Sequence, residues 1–223
     1  SATVGIVISL LAYEIGLAAQ RKWKLAVLNP LLISIILVIA FLVVFHVDYE
    51  SYNMSAKYLS YLLTPATVCL AIPLYKQLEL LRQHLIAVAS AIVAGVAGSV
   101  GSIYVMCRFF QLEHTHYVTL LPKSITTAIG MGVSEEAGGI VTLTVISIII
   151  TGILGNIIAD WLFRIFKIEE PIAKGLALGT AAHAIGTAKA LELGEIEGAM
   201  SSLSIAVAGL LTVVVVPLMS GLI

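Results

Sequence analysis

Charged side chains are scarce in this sequence: 11% of its 223 residues are Asp, Glu, Lys or Arg, against 60% that are apolar. A soluble domain carries about 25% charged residues, so a fold that faces water on all sides is excluded. Positive charge is not in excess either. The formal net charge is −1, which leaves nucleic-acid binding without an electrostatic footprint. Cysteine is nearly absent, and Cys69 and Cys107 lie in apolar runs without metal-like spacing, where they read as small buried hydrophobes. No metal site and no cofactor is expected. No zinc-ligand cluster, acid pair or Ser/His/Asp set with mechanistic spacing is seen, so no catalytic residues and no enzyme are expected. The first segment carries Glu14 and lacks a basic leader, which argues against a cleaved signal peptide.

Long uncharged runs are what the chain has instead. The clearest cover 25–47, 85–107, 140–159 and 198–223, and the mean hydropathy is +1.07. Crossing ~30 Å of hydrocarbon takes roughly 20 residues. About eight hydrophobic segments are counted, near 3–20, 25–47, 58–75, 84–107, 117–133, 140–160, 172–190 and 198–222. The alternating ten-residue pattern of a β-barrel is absent. The expected fold is all-α: a polytopic membrane protein forming one transmembrane domain over 1–223, surrounded by membrane lipid. The polar patch 48–57 reads as a loop.

Three segments, 58–75, 117–133 and 172–190, are broken by Pro, Gly, Thr, Ser, Lys or His. A weak repeat links two of them. "IVAGVAG" at 92–98 matches "IITGILG" at 149–155, and "LLTPATVCLAIP" from Leu62 precedes the first as "LLPKSITTAIGMG" from Leu120 precedes the second. A broken helix followed by a smooth Gly-containing span, used twice, is the pattern of secondary transporters built from repeats. Basic residues cluster at Arg21, Lys22 and Lys24, at Lys76 and Arg82, and at Arg164, Lys167 and Lys174. The positive-inside rule puts all three loops on the cytoplasmic side only if 117–133 dips in and returns without crossing. That parity also inverts one repeat unit relative to the other.

The breaks supply the candidate binding residues. Thr64, Pro65, Ala66 and Thr67 read as a helix start, with Thr64 as N-cap and Pro65 at the first helical position. Pro122, Lys123 and Ser124 put a proline where a second helix can begin, with Thr126 and Thr127 following and Lys123 and Thr127 sharing a helical face. Such half-helix ends leave backbone N–H groups bare and suit small anions. A Lys at mid-bilayer costs about 2.5–3.5 kcal/mol on insertion scales, so Lys123 either faces a cavity or snorkels to an interface. In the third break, Thr180, His183 and Thr187 form a polar stripe, with Gly186 beside it. His183 is open to two readings: a satisfied structural histidine, or a substrate or proton group. Glu14 is a weaker proton candidate, as are Glu135, Glu136 and Glu192, the first two of these in a solvated loop. Gly175, Gly179, Ala182, Gly186 and Ala190 fall on one side of a helix, and Ala87, Ala91, Ala94, Gly98 and Gly101 line another; both faces allow close packing, homo-oligomers included. Asn29-Pro30 marks a helix start or kink.

The stretches "LNPLL" (28–32), "TPATVCLAIPLY" (64–75), "LLPKSITTAIGMGVSEEAGGI" (120–140) and "KGLALGTAAHAIGTAKALELGEIEGAMSSL" (174–203) resemble the LrgB/CidB family of bacterial membrane proteins, over most of the chain and in the family's order. One departure is Ala128, where the family usually has a second proline. The resemblance implies a multi-pass protein of the bacterial cytoplasmic (inner) membrane and a small LrgA/CidA-type membrane partner. It also implies two rival functions. One is a carrier of small carboxylates such as pyruvate, the plastid glycolate/glycerate transporter being similar in its C-terminal part. The other is a holin- or antiholin-like regulator of murein hydrolase export and autolysis. The residue chemistry favours the carrier, because a holin needs no paired half-helices and no buried lysine.

Overall fold

The computed structural model describes residues 3–23 and 28–223, with the side chains of Leu63, Thr64 and Thr67 outside the description. Lys24 and the opening residues of the 25–47 segment thus lie outside the described residues. Every regular element among the described residues is helical. The chain forms two compact units, Ser1–Cys69 and Leu70–Ile223.

The first unit holds α1 (Val4–Trp23), α2 (Pro30–Val44), α3 (Tyr49–Ser60) and α4 (Leu63–Cys69). Asn29 and Pro30 mark a start, not a kink: Asn29 Oδ1 accepts from the N–H groups of Leu31 and Leu32 at 2.9 and 3.2 Å, and Pro30 opens the helix. Gly16 of α1 lies against the backbone of Pro30, and the Gly5 N–H donates to Ser55 Oγ at 2.8 Å. Two expectations change here. The patch 48–57 is mostly helical, because Asp48 caps α3 through the N–H groups of Glu50 and Ser51. And α4 begins at Leu63, so Thr64 is not its N-cap and Pro65 sits further into the first turn, where the missing N–H is equally free of cost.

The second unit holds α5 (Ala71–Lys76), α6 (Leu78–Gln83), α7 (Leu85–Phe109), α8 (His114–Leu120), α9 (Thr127–Glu136), α10 (Val141–Ile165), α11 (Pro171–Leu193) and α12 (Glu195–Ser220). Among the described residues four helices are long and apolar enough to span a membrane: α1, α7, α10 and α12. That is fewer than the segments counted in the sequence. The 58–75, 117–133 and 172–190 segments are interrupted, as their composition suggested, and α2 has 15 residues. The core of the second unit is built by Val88, Ile92, Val96, Val100 and Cys107 of α7 against α8, the turn after it, and Met200, Ala208 and Val216 of α12. The small-residue face of α7 is therefore not its packing face: nothing comes within 4 Å of a Cβ placed on Gly98 or Gly101. The branched face wins because it buries more apolar area per residue.

Two segments fold back on themselves, and α12 serves as the ruler. Tyr117 Oη of α8 donates to the Met219 carbonyl, near the end of α12, at 3.0 Å. The turn after α8 brings Ser124 and Ile125 beside Ala208 and Thr212. Then α9 returns, with Ile129 against Gly209 and Val133 and Ala137 beside Val213 and Pro217. From the other end, Gly175 of α11 lies on Glu197 and Gly179 on Ser201 and Ser204. At His183 the backbone leaves the helix (φ 42°, ψ −133°). The chain then runs back, with Thr187 Oγ1 sharing a hydrogen bond with Ser201 Oγ at 2.7 Å and Leu191 against Gly198. The row of small residues expected on one helix side is thus split. Gly175 and Gly179 face α12, whereas Gly186 faces the carbonyl of Leu178 in its own outgoing half. The 26 residues of α12 span about 39 Å, and the two tips reach it near its middle from opposite ends.

Close backbone approach at Gly179 yields a prediction. A Cβ there would stand 2.9 Å from Ser201 Oγ and nearer still to the Ser201 carbonyl and Ser204 Oγ. Gly179→Ala should destabilise the purified protein by about 1–3 kcal/mol, read as a lower Tm in detergent. Gly132→Ala, where nothing lies within 4 Å, should leave Tm level or raise it. Equal Tm values for the two variants would overturn the packing assignment.

Candidate functional site

The tips meet at a cavity of about 610 Å³ lined by α7, α10, α11 and the turn after α8. Its polar lining is Ser99, Lys123, Ser124, Thr151 and Thr180, with Gly95 on the same wall. The volume lies within the range of small-molecule sites. Gly95 and Ser99 stand near the middle of α7, Thr151 near the middle of α10, and all other walls are apolar side chains or backbone.

Lys123 sits in the turn between α8 and α9, not on a helix. The turn is closed by the Lys123 N–H donating to the Leu120 carbonyl at 3.1 Å and by the Ile125 N–H donating to the Pro122 carbonyl. Pro122 is buried at its base. The shared helical face expected for Lys123 and Thr127 therefore does not exist: Thr126 is extended (φ −65°, ψ 147°), and α9 starts only at Thr127. Neither threonine lines the cavity. The cation is held by hydroxyls, Lys123 Nζ donating to Ser124 Oγ at 3.0 Å and reaching Ser99 Oγ at 3.5 Å, while Ser99 Oγ donates to Ser124 Oγ at 2.9 Å. Among the described residues the ion pairs are those of Lys189 with Asp160 and Glu192, so Lys123 has no carboxylate partner. A half-buried ammonium among hydroxyls, without a carboxylate partner, has the chemistry to accept an anion.

Thr180 joins this lining, but His183, Gly186 and Thr187 stand behind it. His183 is 3% exposed, and its Nε2 donates to the Ile148 carbonyl of α10 at 2.9 Å. Thr187 Oγ1 reaches the His183 carbonyl at 3.0 Å. These residues brace the tip of the α11 fold-back. A non-glycine residue at positive φ stores of order 1–3 kcal/mol of strain, and the bonds around His183 hold it there. Thr64, Pro65, Ala66, Thr67 and Glu14 belong to the first unit, Glu14 being exposed on α1. Glu135 and Glu136 end α9 and are exposed, on a helix and not in a loop.

Sequence reasoning missed Ser99 and the repeat's own glycines. Gly95 and Gly152, equivalent positions of the repeat, both press on α11: Gly95 on Thr180, Gly152 on the His183 ring. The spacing was visible; the shared partner was not. Also missed was a buried hydroxyl clasp in which Thr144 Oγ1, with one proton to give, stands 2.6 Å from Ser134 Oγ and 2.9 Å from the Thr119 carbonyl, tying α8, α9 and α10.

Comparison with known proteins gives a consistent answer. The model of the LrgB-like family matches residues 9–222. Proteins named antiholin-like protein LrgB from Bacillus mycoides (strain KBAB4), Bacillus cereus (strain B4264) and Bacillus anthracis (strain CDC 684 / NRRL 3495) are each 40% identical over 215 residues, covering 96% of this chain and 94% of their own length. No solved structure matches the chain.

The cavity reading of Lys123 has a direct chemical check. Non-helical backbone at membrane depth is tolerated where it lines a watery cavity, so position 123 should meet water. In a background with the exposed Cys69 replaced by Ser, Lys123→Cys should react with a charged, membrane-impermeant thiol reagent, while buried Cys107 stays silent. Labelling no faster than the Cys107 background would return Lys123 to a buried, structural role.

Proposed function

The chain belongs to the LrgB-like family of multi-pass bacterial membrane proteins, and from that premise we propose that it carries small monocarboxylates of the pyruvate or glycolate kind. The observation behind this reading is Lys123: a cation without a counter-charge, ringed by Ser99, Ser124 and Thr180, in a cavity at mid-length of α7 and α10. Carriers bind at such midpoints, between elements broken inside the membrane. In this reading the α8–α9 and α11 fold-backs are re-entrant hairpins entering from opposite faces. The basic loop around Arg164 then places the α11 hairpin on the cytoplasmic side, and the 57-residue offset of the glycine motifs reflects an inverted repeat. The carboxylate takes the Lys123 ammonium and hydroxyl donors, and alternating access comes from one hairpin moving past the other. His183 acts as a positioning residue at the α11 tip.

A second reading, antiholin-like regulation of murein hydrolase export and autolysis, is what the relatives' names favour, and they favour it over the carrier, since they speak of antiholins and not of transport. The two are compatible, because carboxylate flux can govern autolysis indirectly. An LrgA/CidA-type partner and a homo-oligomer belong to both.

The deciding experiment is uptake of labelled pyruvate and glycolate into liposomes of the purified protein, with a trapped dye followed in parallel and the LrgA-type partner added in a second series. Saturable uptake with the dye retained is expected. Lys123→Ala should weaken apparent affinity roughly 10- to 100-fold, the range of a lost charge-assisted hydrogen bond. Dye loss without saturable uptake sinks the carrier, and saturable uptake indifferent to Lys123→Ala sinks the site.

His183 gives a separate test. His183→Gln keeps an N–H for the Ile148 carbonyl and should leave the pH profile of uptake unchanged, whereas His183→Ala lowers the rate. A pH profile flattened by His183→Gln would make the histidine a proton group instead of a brace.

A further inference from the structure

A second cavity, of about 360 Å³, opens at the far end of α10, where the base of the α11 fold-back meets it. It is lined by three cations, Arg164, Lys167 and Lys174. Two carboxylates share the wall, but Asp160 is taken by Lys189 at 3.0 Å, which leaves Glu169 as the one lining acid outside an ion pair among the described residues. Glu170 precedes α11 and Glu192 lies 4.0 Å from Lys189, so the acids gather on the Lys189 side and around the α11 start. Part of this positive charge answers the C-terminus of α10, whose last turn holds Arg164 and is followed by Lys167 at φ 53°. That accounts for cations near the helix end; it does not account for a cavity between them and Lys174 of the next helix.

The apolar surroundings decide the ligand. Trp161 and Ile165, next in sequence to the lining Asp160 and Arg164, are exposed apolar side chains, as is Phe166. A free inorganic anion has no use for such a rim. A phospholipid has use for both parts, with the phosphate among the cations and an acyl chain against the rim. Basic pockets between helices at the cytoplasmic boundary take anionic head groups for this reason, and Trp161, 62% exposed, stands where interfacial aromatics sit. We propose that the cavity at Arg164, Lys167 and Lys174 binds the phosphate of an anionic phospholipid and anchors the base of the α11 fold-back to the membrane surface. The site is independent of what the Lys123 cavity carries.

Trp161 supplies the probe. In a Trp23→Phe background it is the remaining tryptophan, and the full chain would be placed in vesicles of phosphatidylcholine doped with brominated phosphatidylglycerol or brominated phosphatidylcholine. Brominated phosphatidylglycerol should quench Trp161 at a mole fraction several-fold lower. Arg164→Gln and Lys174→Gln should each raise that fraction roughly fivefold, whereas Lys76→Gln with Arg82→Gln should not. Millimolar inorganic phosphate should not compete. Equal quenching by the two brominated lipids overturns the proposal without needing any of the charge variants to fold. Full displacement by inorganic phosphate would also overturn it, in favour of a site for a free anion.

Discussion

The second unit is organised around a positive charge that has nowhere else to go. In hydrocarbon, Lys123 would be expelled to an interface. Here it is kept by a buried proline turn beneath it and by the hydroxyls of Ser99 and Ser124 beside it. Everything near the cavity follows from that. One turn before Ser99 the same wall must be thin, hence Gly95 facing Thr180 with no room for a side chain. The turn must not drift, hence the Thr119, Ser134 and Thr144 clasp behind it.

Backbone satisfaction is the second constraint, and it explains why the fold-backs are built as they are. A helix that stops midway leaves N–H and C=O groups that lipid cannot satisfy. At the α11 tip the work is done by side chains from α10 and from the segment itself. Asn156 Nδ2 of α10 donates to the Ile185 carbonyl at 3.2 Å and Thr187 Oγ1 donates to the His183 carbonyl, while the His183 ring is anchored on the Ile148 carbonyl of α10. At the other tip short turn bonds suffice, because Pro122 contributes no N–H at all. Hydroxyls in this chain therefore act as local backbone partners more than as a polar lining. Thr180 does both, lining the cavity while its Oγ1 donates to the Leu176 carbonyl at 2.7 Å.

What the sequence made legible were features with a local chemical signature. Pro30 after Asn29 is a helix start because both residues act within one turn. The breaks at 62–67 and 121–126 show as Pro with hydroxyl neighbours, and Lys123 shows because nothing around it is charged. What stayed hidden depended on distant partners. Nothing local at His183 announces a reversal: it is neither Gly nor Pro, and its φ of 42° is tolerated only because α10 and Thr187 hold it. The sequence marks 172–190 as broken but not where it turns, and so puts Gly186 and Gly179 on one helix side; reversal sends one to Leu178 and the other to Ser201 and Ser204. Ser99 was passed over because a serine in an apolar helix usually bonds its own backbone, as Ser102 does with the Ser99 carbonyl at 2.7 Å. And the α7 face chosen for packing was the one with the smallest residues, when burial is decided by apolar area.

The two tips are not equivalent, and the difference bears on how the site would work. The α8–α9 tip carries the charge and is clasped by buried hydroxyl bonds to α10. The α11 tip carries backbone strain instead, and its small residues let it approach α12 and α10 closely: Gly175 and Gly179 on one side, Ala182 against Gly155 on the other. Strain lowers the cost of leaving the observed arrangement. An anion on Lys123 that also reached Thr180 would bridge the two tips, so its binding energy would depend on where α11 stands. That dependence is what couples binding to a conformational equilibrium, and it is available to a carrier and to a regulator alike.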